Sequence, residues 1–380
     1  MTNPGNRMNV DQRERLILAP YAMFSRDSAG RKHPDREHPF RGPFQRDRDR
    51  ILHSSAYRRL SGKMQVFTGE MGDYHRTRLT HTQEVATIAR TVARVLRLNE
   101  DLVEALALMH DIGHPPYGHA GEDALNECAE DIGGFSHNRF ALTIVEELEI
   151  RYDGFAGLNL TREVLAGQMA RADKKNPGLH RLLEVQLVDA ADSVTYDAHD
   201  TDDAIKLGLV DLREMERLEL VRLCLETVRN RFANLDPKLL RKAMVHELVN
   251  TQVNRMVEWC ASELDRYGFE SAAEAMNSDF VVQPGPELRE QKQELEEFLY
   301  KKVYRHHRLV EVRLQAQDRV RQMVAKYIQF PDLFPGHYQG RLQGVGPMRM
   351  AIEYVAGMTD HFCEQTWQEM CGGDVAATRS

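Results

Sequence analysis

From about Ile51 onward the apolar residues recur at helical spacing almost throughout, and no stretch alternates in the manner of a half-buried strand. Val85, Ile88, Ala89, Val92 and Leu96 form one such stripe, preceded by Thr80-His81-Thr82-Gln83, which has the form of a capping box. Asn99 is placed to cap the next helix, whose apolar face is Leu102, Val103, Leu106 and Met109. That helix should stop near Gly113-His114-Pro115-Pro116. The same spacing predicts helices over 137–150, 161–171, 179–205, 211–231, 237–265, 287–304, 308–327 and 347–370. A Pro/Gly-rich loop over 330–340 is expected before the last of them. The expected fold is all-α, with no internal repeat and no sharp domain boundary.

Upstream of Ile51 the pattern changes. Between Arg26 and Arg59 there are nine arginines and Lys32 against five acidic residues, and Pro34, Pro39 and Pro43 lie among them. An extended N-terminal arm over residues 1–50 is the expectation. Its guanidinium forks suit a polyphosphate or a neighbouring subunit. Local ion pairing in Arg46-Asp47-Arg48-Asp49-Arg50 explains the same charges equally well.

Composition narrows the class. The 380 residues carry a net charge of −8, which argues mildly against a general nucleic-acid binder. Mean hydropathy is −0.52, no apolar run approaches a membrane span, and MTNPGNRMNV lacks a signal-peptide core. The five cysteines are odd in number, scattered and never in a C-x-x-C, which suits reduced thiols in a cytoplasm.

The chemistry concentrates in three places. His81 lies in the first turn of its helix, and His110-Asp111 lies at the end of the next, where consecutive side chains project about 100° apart and can both reach one ion. Asp192, Tyr196, His199, Asp200 and Asp203 make a single stripe on the 179–205 helix, opposite Leu187, Val188, Ala191, Val194 and Ala198. Such a stripe by itself is most simply a solvated face, and a lone histidine is most simply structural. Together, two imidazoles and two carboxylates are a ligand set for Mn²⁺, Fe²⁺, Co²⁺, Mg²⁺ or Zn²⁺. His119 and Glu122, three residues apart, can also form a dyad in which the carboxylate fixes the imidazole tautomer.

The order H…HD…D resembles the HD phosphohydrolase superfamily. DRDRILHSSAYRRLSGKMQVF, GDYHRTRLTHTQEVA, LMHDIGHPPYGHAGEDALN, GGFSHNRFAL, VDAADSVTYDAHD, YRHHR and EYVAGMTDHF more specifically resemble the bacterial dGTP triphosphohydrolase family, in the same order from about residue 25 to 365. The resemblance implies an HD-domain helical core over 51–210 and a C-terminal helical region, 211–380, that completes the nucleotide pocket and oligomer contacts. It implies His81, His110, Asp111 and Asp192 as metal ligands and His119 as the catalytic histidine, oriented by Glu122. His114 and His137 would lie near the triphosphate, and Arg78 would contact a phosphate oxygen. Gln65 and Asp200 would bond the sugar 3′-hydroxyl, Tyr304 would pack at its 2′ position, and Tyr196 would line the same pocket.

The implied reaction cleaves a dNTP to deoxynucleoside and inorganic triphosphate by water attack at the α-phosphorus. Mn²⁺ or Mg²⁺ is the foremost expected metal, with Fe²⁺, Co²⁺, Ni²⁺ or Zn²⁺ compatible. The family further implies a cytoplasmic homo-oligomer, tetrameric or hexameric, with a dNTP activator and single-stranded nucleic acid as conceivable partners and no membrane. The chain departs from the pattern at Ser193, Phe140 and Glu353, none of them a proposed ligand. Three other readings stand beside this one: a different HD enzyme such as a nucleoside 5′-monophosphatase or cyclic-nucleotide phosphodiesterase, a nucleotide or single-strand binder with a vestigial site, and purely structural histidines.

Overall fold

The computed structural model describes residues 8–65, 76–173 and 181–376, and these form seventeen α-helices and no sheet. Extended pairing among them is confined to isolated bridges at Arg31–Thr161, Met64–Thr77 and Tyr152–Phe155. The all-α expectation holds. No helix of the described residues is long and apolar enough to cross a membrane. Parts of two of the family-like motifs (residues 66–75) and the start of the predicted 179–205 helix lie outside the described residues.

The N-terminal segment differs from the extended arm expected of it. It contains α1 (Val10–Ile17), α2 (Pro43–Leu52) and α3 (Ser55–Arg59). Gly42-Pro43 opens α2 with proline at its first position, where the missing N–H costs nothing. Phe44 and Ile51 are buried, and so are Asp47 and Arg50. Asp47 accepts from Arg31 and from the Thr161 backbone (3.0 Å) and hydroxyl (2.6 Å). Arg50 donates to Leu158 O (3.1 Å) and Asp35 (2.6 Å). These arginines are spent inside the protein, where each buried charge needs its partner.

Next come α4 (Arg78–Val95), α5 (Glu100–Met109), α6 (His119–Cys128), α7 (His137–Thr143), α8 (Arg162–Ala172) and α9 (Leu183–Lys206). The α4 cap is Thr77, one turn earlier than expected, its hydroxyl accepting the Thr80 N–H at 3.3 Å. Asn99 caps α5 as anticipated, accepting from Leu102. Leu102, Val103 and Ala105 through Met109 are all buried, so α5 is a central helix wrapped by its neighbours. The helix expected over 137–150 changes to a π-turn at Ile144–Leu148.

Beyond α9 lie α10 (Leu212–Met215), α11 (Glu219–Arg231), α12 (Pro237–Tyr267), α13 (Ala272–Met276) and α14 (Pro286–Leu299), then α15 (His307–Gln329), α16 (Gly336–Ala356) and α17 (Asp360–Ala376). The single helix expected over 211–231 is thus two. α14 runs into a π-turn, Tyr300–Tyr304. The expected loop over 330–340 is shorter, because Pro335-Gly336 starts α16 instead of interrupting the chain. Gly346 (φ +79°) before Pro347 kinks α16, and the chain breaks again before α17.

Two apolar cores result. The larger collects α2, α4 to α8, the first half of α9, the end of α12 and α15 to α17. The smaller begins at Ala198 and takes in α10, α11, the front of α12 and α14. α9 passes from one to the other, so the stripe from Asp192 to Asp200 straddles the seam. His199 and Asp200 are buried there, which sets aside the solvated-face reading for them.

Candidate metal and nucleotide site

His81 from α4, His110 at the end of α5 and Asp192 from α9 converge beneath that seam. One ligand atom from each lies within 4.8 Å of the others. The spread matches donors on a common ion at about 2.0–2.2 Å. His110 Nδ1 donates to Ala107 O at 2.6 Å, which leaves Nε2 as a buried lone pair with no hydrogen-bond partner. That atom sits 3.4 Å from Asp111 Oδ1 and 3.7 Å from Asp192 Oδ1. His81 Nε2 is 3.0 Å from the same Asp192 oxygen. A buried imidazole lone pair pressed against two carboxylate oxygens is what a divalent cation would satisfy, so the residues present fit one.

Electrostatics point the same way. Burial lowers the His110 pKa and keeps the imidazole neutral, the form that ligates. Burial would raise Asp192, but His110, His81 and Arg171 hold it well below the usual carboxylate range. Asp111 behaves likewise, with His114, His110 and Arg78 outweighing its burial. Asp111 stands beside the trio: its carboxylate is held by Arg78 at 3.0 Å and by His114 Nδ1 at 3.0 Å.

The turn after α5, with α6 and α7, brings three further histidines together. His114 and His137 stack with ring centroids 3.8 Å apart, and His119 lies edge-on to His114 at 5.7 Å. Glu122, expected to orient His119, is shared with His137. It accepts from His137 through the ring (2.7 Å) and the backbone N–H (2.9 Å), while His119 Nδ1 is 3.4 Å away. Burial would raise Glu122, but hydrogen bonds from His119 and His137 hold it well below the carboxylate range. His119 itself is exposed, free to meet a ligand.

A cavity of about 280 Å³ is lined by His81, His110, Asp111 and Asp192 together with Gln65, Arg78, His114, His119, His137 and Tyr196. An adjoining cavity of about 390 Å³ shares Gln65, Arg78, His119 and Tyr196 and is walled by Tyr117, Tyr300 and Tyr304. The Tyr304 and Tyr196 hydroxyls are 2.7 Å apart. Gln65 Oε1 is buried without a donor. Asp200 lines neither of these cavities. It is buried one turn beyond Tyr196, and neither oxygen meets a donor in hydrogen-bonding geometry. Burial, with Asp203 nearby, pushes its carboxyl well above the usual range, and the Tyr196 hydroxyl offsets this only in part.

Arg171, Glu84 and Asn138 were not singled out from sequence. Arg171 closes α8 and reaches Asp192 at 2.9 Å and Asp189 at 2.9 Å. His199 and Glu84 form a chain behind His81, with His199 Nδ1 3.2 Å from His81 Nδ1. Asn138 and Ser193 also line the first cavity. Only the position of Arg171 at a helix end could have flagged it.

The HD domain model matches residues 78–197, and a phosphohydrolase-associated domain model matches residues 282–369. A deoxyguanosinetriphosphate triphosphohydrolase-like protein of Geobacter metallireducens is 38% identical, over 92% of this chain and 94% of its own length. One of the same description from Brucella ovis is 43% identical, over 90% and 93%. Another from Nitrosomonas europaea is 37% identical, over 94% and 98%. With likeness of that depth running nearly end to end, this chain belongs to the deoxyguanosinetriphosphate triphosphohydrolase-like family of HD-domain, metal-dependent phosphohydrolases.

Proposed function

We propose that the protein hydrolyses deoxynucleoside 5′-triphosphates to deoxynucleoside and inorganic triphosphate. The observation that carries this reading is the junction of two cavities at His119. On one side lie His81, His110, Asp111 and Asp192, and on the other a tyrosine-walled space fit for a nucleoside. A scissile bond between sugar O5′ and the α-phosphorus falls at that junction.

His81, His110, Asp111 and Asp192 would hold the metal, which when bound supplies Lewis-acid polarisation of a phosphate oxygen. Arg78, already 3.0 Å from Asp111, offsets charge on the α-phosphate. His114 and His137, stacked beside it, line the path of the β- and γ-phosphates. His119 is the exposed imidazole nearest the junction and handles the proton of the reaction, either taken from water or given to O5′, with Glu122 holding its ring. Gln65 offers an unpaired buried acceptor to the sugar 3′-hydroxyl, and Tyr196 with Tyr304 closes round the sugar.

Incubation with each dNTP and Mn²⁺, followed by chromatography for free deoxynucleoside and for inorganic triphosphate, tests this directly. Release of monophosphate or orthophosphate instead would move the chain to another HD chemistry, and no product from any dNTP would remove the assignment.

A further inference from the structure

The metal and nucleotide residues lie mostly within 65–200, yet the loop that carries His119 is anchored from far along the chain. Asp360, the first residue of α17, is buried. Its Oδ1 accepts the Tyr117 backbone N–H at 2.9 Å, and its Oδ2 accepts the Met64 backbone N–H at 2.8 Å. One carboxylate thereby joins two segments that have no helix in common.

Both segments lead straight to functional side chains. Met64 precedes Gln65 and bridges Thr77; around it Arg78 N–H bonds Lys63 O at 2.9 Å and Gln65 N–H bonds Arg76 O at 3.0 Å. Fixing Met64 therefore fixes Gln65 and Arg78 together. Tyr117 and Gly118 precede His119. Tyr117 holds φ +64°, a left-handed conformation that a bulky side chain rarely adopts. Gly118 follows at φ +58°, and a Cβ there would stand 2.8 Å from the Arg78 guanidinium. Arg78 thus runs directly under the loop, which leaves no slack between the two segments.

Capping of α17 does not account for this carboxylate. Thr359 serves that helix, its hydroxyl accepting the Phe362 N–H at 3.3 Å, while both Asp360 oxygens reach outward. The surroundings reinforce the clamp. Buried Lys63 donates to His114 O and Ala356 O, and the Tyr117 hydroxyl meets Glu364, one turn along α17, at 3.3 Å. Gly62 packs so tightly on Thr359 that a Cβ would come within 2.8 Å of it.

We propose that Asp360 is a positioning residue for the hydrolytic site, locking the His119 loop and the Gln65–Arg78 pair in register through the amides of Tyr117 and Met64. The proposal rests on the hydrolase reading for its catalytic consequence, but its structural half stands alone. It also gives the C-terminal region, matched by the phosphohydrolase-associated domain model, a physical role in holding the HD site in reacting geometry.

Asp360→Asn in the full chain is the informative variant, because it keeps the shape and turns one acceptor into an N–H facing an N–H. Hydrogen exchange should quicken in peptides covering 62–65 and 114–122 while α5 and the first half of α9 stay as in wild type. Metal content should not change. With dNTP, kcat should fall about 10-fold or more and KM much less, since about 1 Å of misplacement can cost 100-fold. In a His119→Ala background the same substitution should cost clearly less, because only the share that runs through Gln65 and Arg78 remains. Equal losses in both backgrounds, or unaltered exchange in the two segments, would overturn the positioning role. An inactive wild-type chain would strike the hydrolase reading, and the exchange experiment would still decide the clamp.

Discussion

His81 turns its Nδ1 toward the Nδ1 of His199, 3.2 Å away, and His199 sets its Nε2 2.5 Å from the Glu84 carboxylate. Burial lowers the His199 pKa and so favours its neutral ring. With Glu84 accepting a hydrogen bond from His199 Nε2–H, the His199 Nδ1 is left to accept from His81 Nδ1–H. That leaves a lone pair on His81 Nε2 facing an Asp192 oxygen at 3.0 Å, an arrangement that asks for a cation between them.

Removing the outer members of this chain should weaken metal binding without touching a ligand. His199→Ala and Glu84→Gln are each expected to lower affinity about 10- to 100-fold. A chelator-competition titration measures it, and dissociation constants equal to wild type would show that His81 needs no such support.

Asp192 is the shared member of the trio, so its loss should be more drastic. Asp192→Ala leaves Arg171 beside two imidazoles, and a cation's place then carries positive charge. Metal content by elemental analysis should drop to background and activity with it. Full metal retention in that variant would remove Asp192 from the ligand set.

His119 and Glu122 should separate by pH. His119→Ala is expected to keep metal and nucleotide but lose about 100- to 10,000-fold in turnover, the range for a general acid–base group. Glu122 has its folded pKa depressed below the ordinary 4.5, despite burial, by hydrogen bonds from His119 and His137. Its contribution to stability is therefore complete above about pH 4.5 and lost as pH falls through the folded value. Glu122→Gln should lower turnover by a constant factor from pH 5 to 9, and its melting-temperature deficit should shrink in acid. An acid limb near pH 5 that vanished in the variant would mean Glu122 titrates during turnover.

What the sequence made legible was whatever one helix face or one loop states by itself. The Asn99 cap, the end of α5 at His110, and the stripe Asp192, Tyr196, His199 and Asp200 could all be read locally. Arg171, Glu84 and the Asp360 clamp could not, because each acts across helices whose packing no spacing encodes. Charge left the N-terminus open for the same reason. In sequence Arg31 and Arg50 suit either a basic arm or local ion pairs, and only the carbonyls of Leu158 and Asn159 reveal that they are interior residues. Pro335-Gly336 can break a helix or start one, and the packing of the residues after it decides between the two.

The sugar pocket gives the sharpest test of substrate class. Tyr304 leaves the π-turn after α14 and meets Tyr196 hydroxyl to hydroxyl at 2.7 Å, with the two rings nearly parallel at 16°. A 2′-hydroxyl on a sugar lodged against that pair would need both space and a hydrogen-bond partner, and the Tyr304 proton is already given to Tyr196. Tyr304→Ala removes the wall and frees Tyr196, so the kcat/KM ratio of ribonucleotide to deoxyribonucleotide should rise about 10-fold or more. Tyr304→Phe keeps the ring while breaking the bond, so a steric wall predicts an unchanged ratio and a polar gate predicts a raised one. Were Tyr304→Ala to leave the ratio where it was, discrimination against the 2′-hydroxyl would have to come from elsewhere in the cavity.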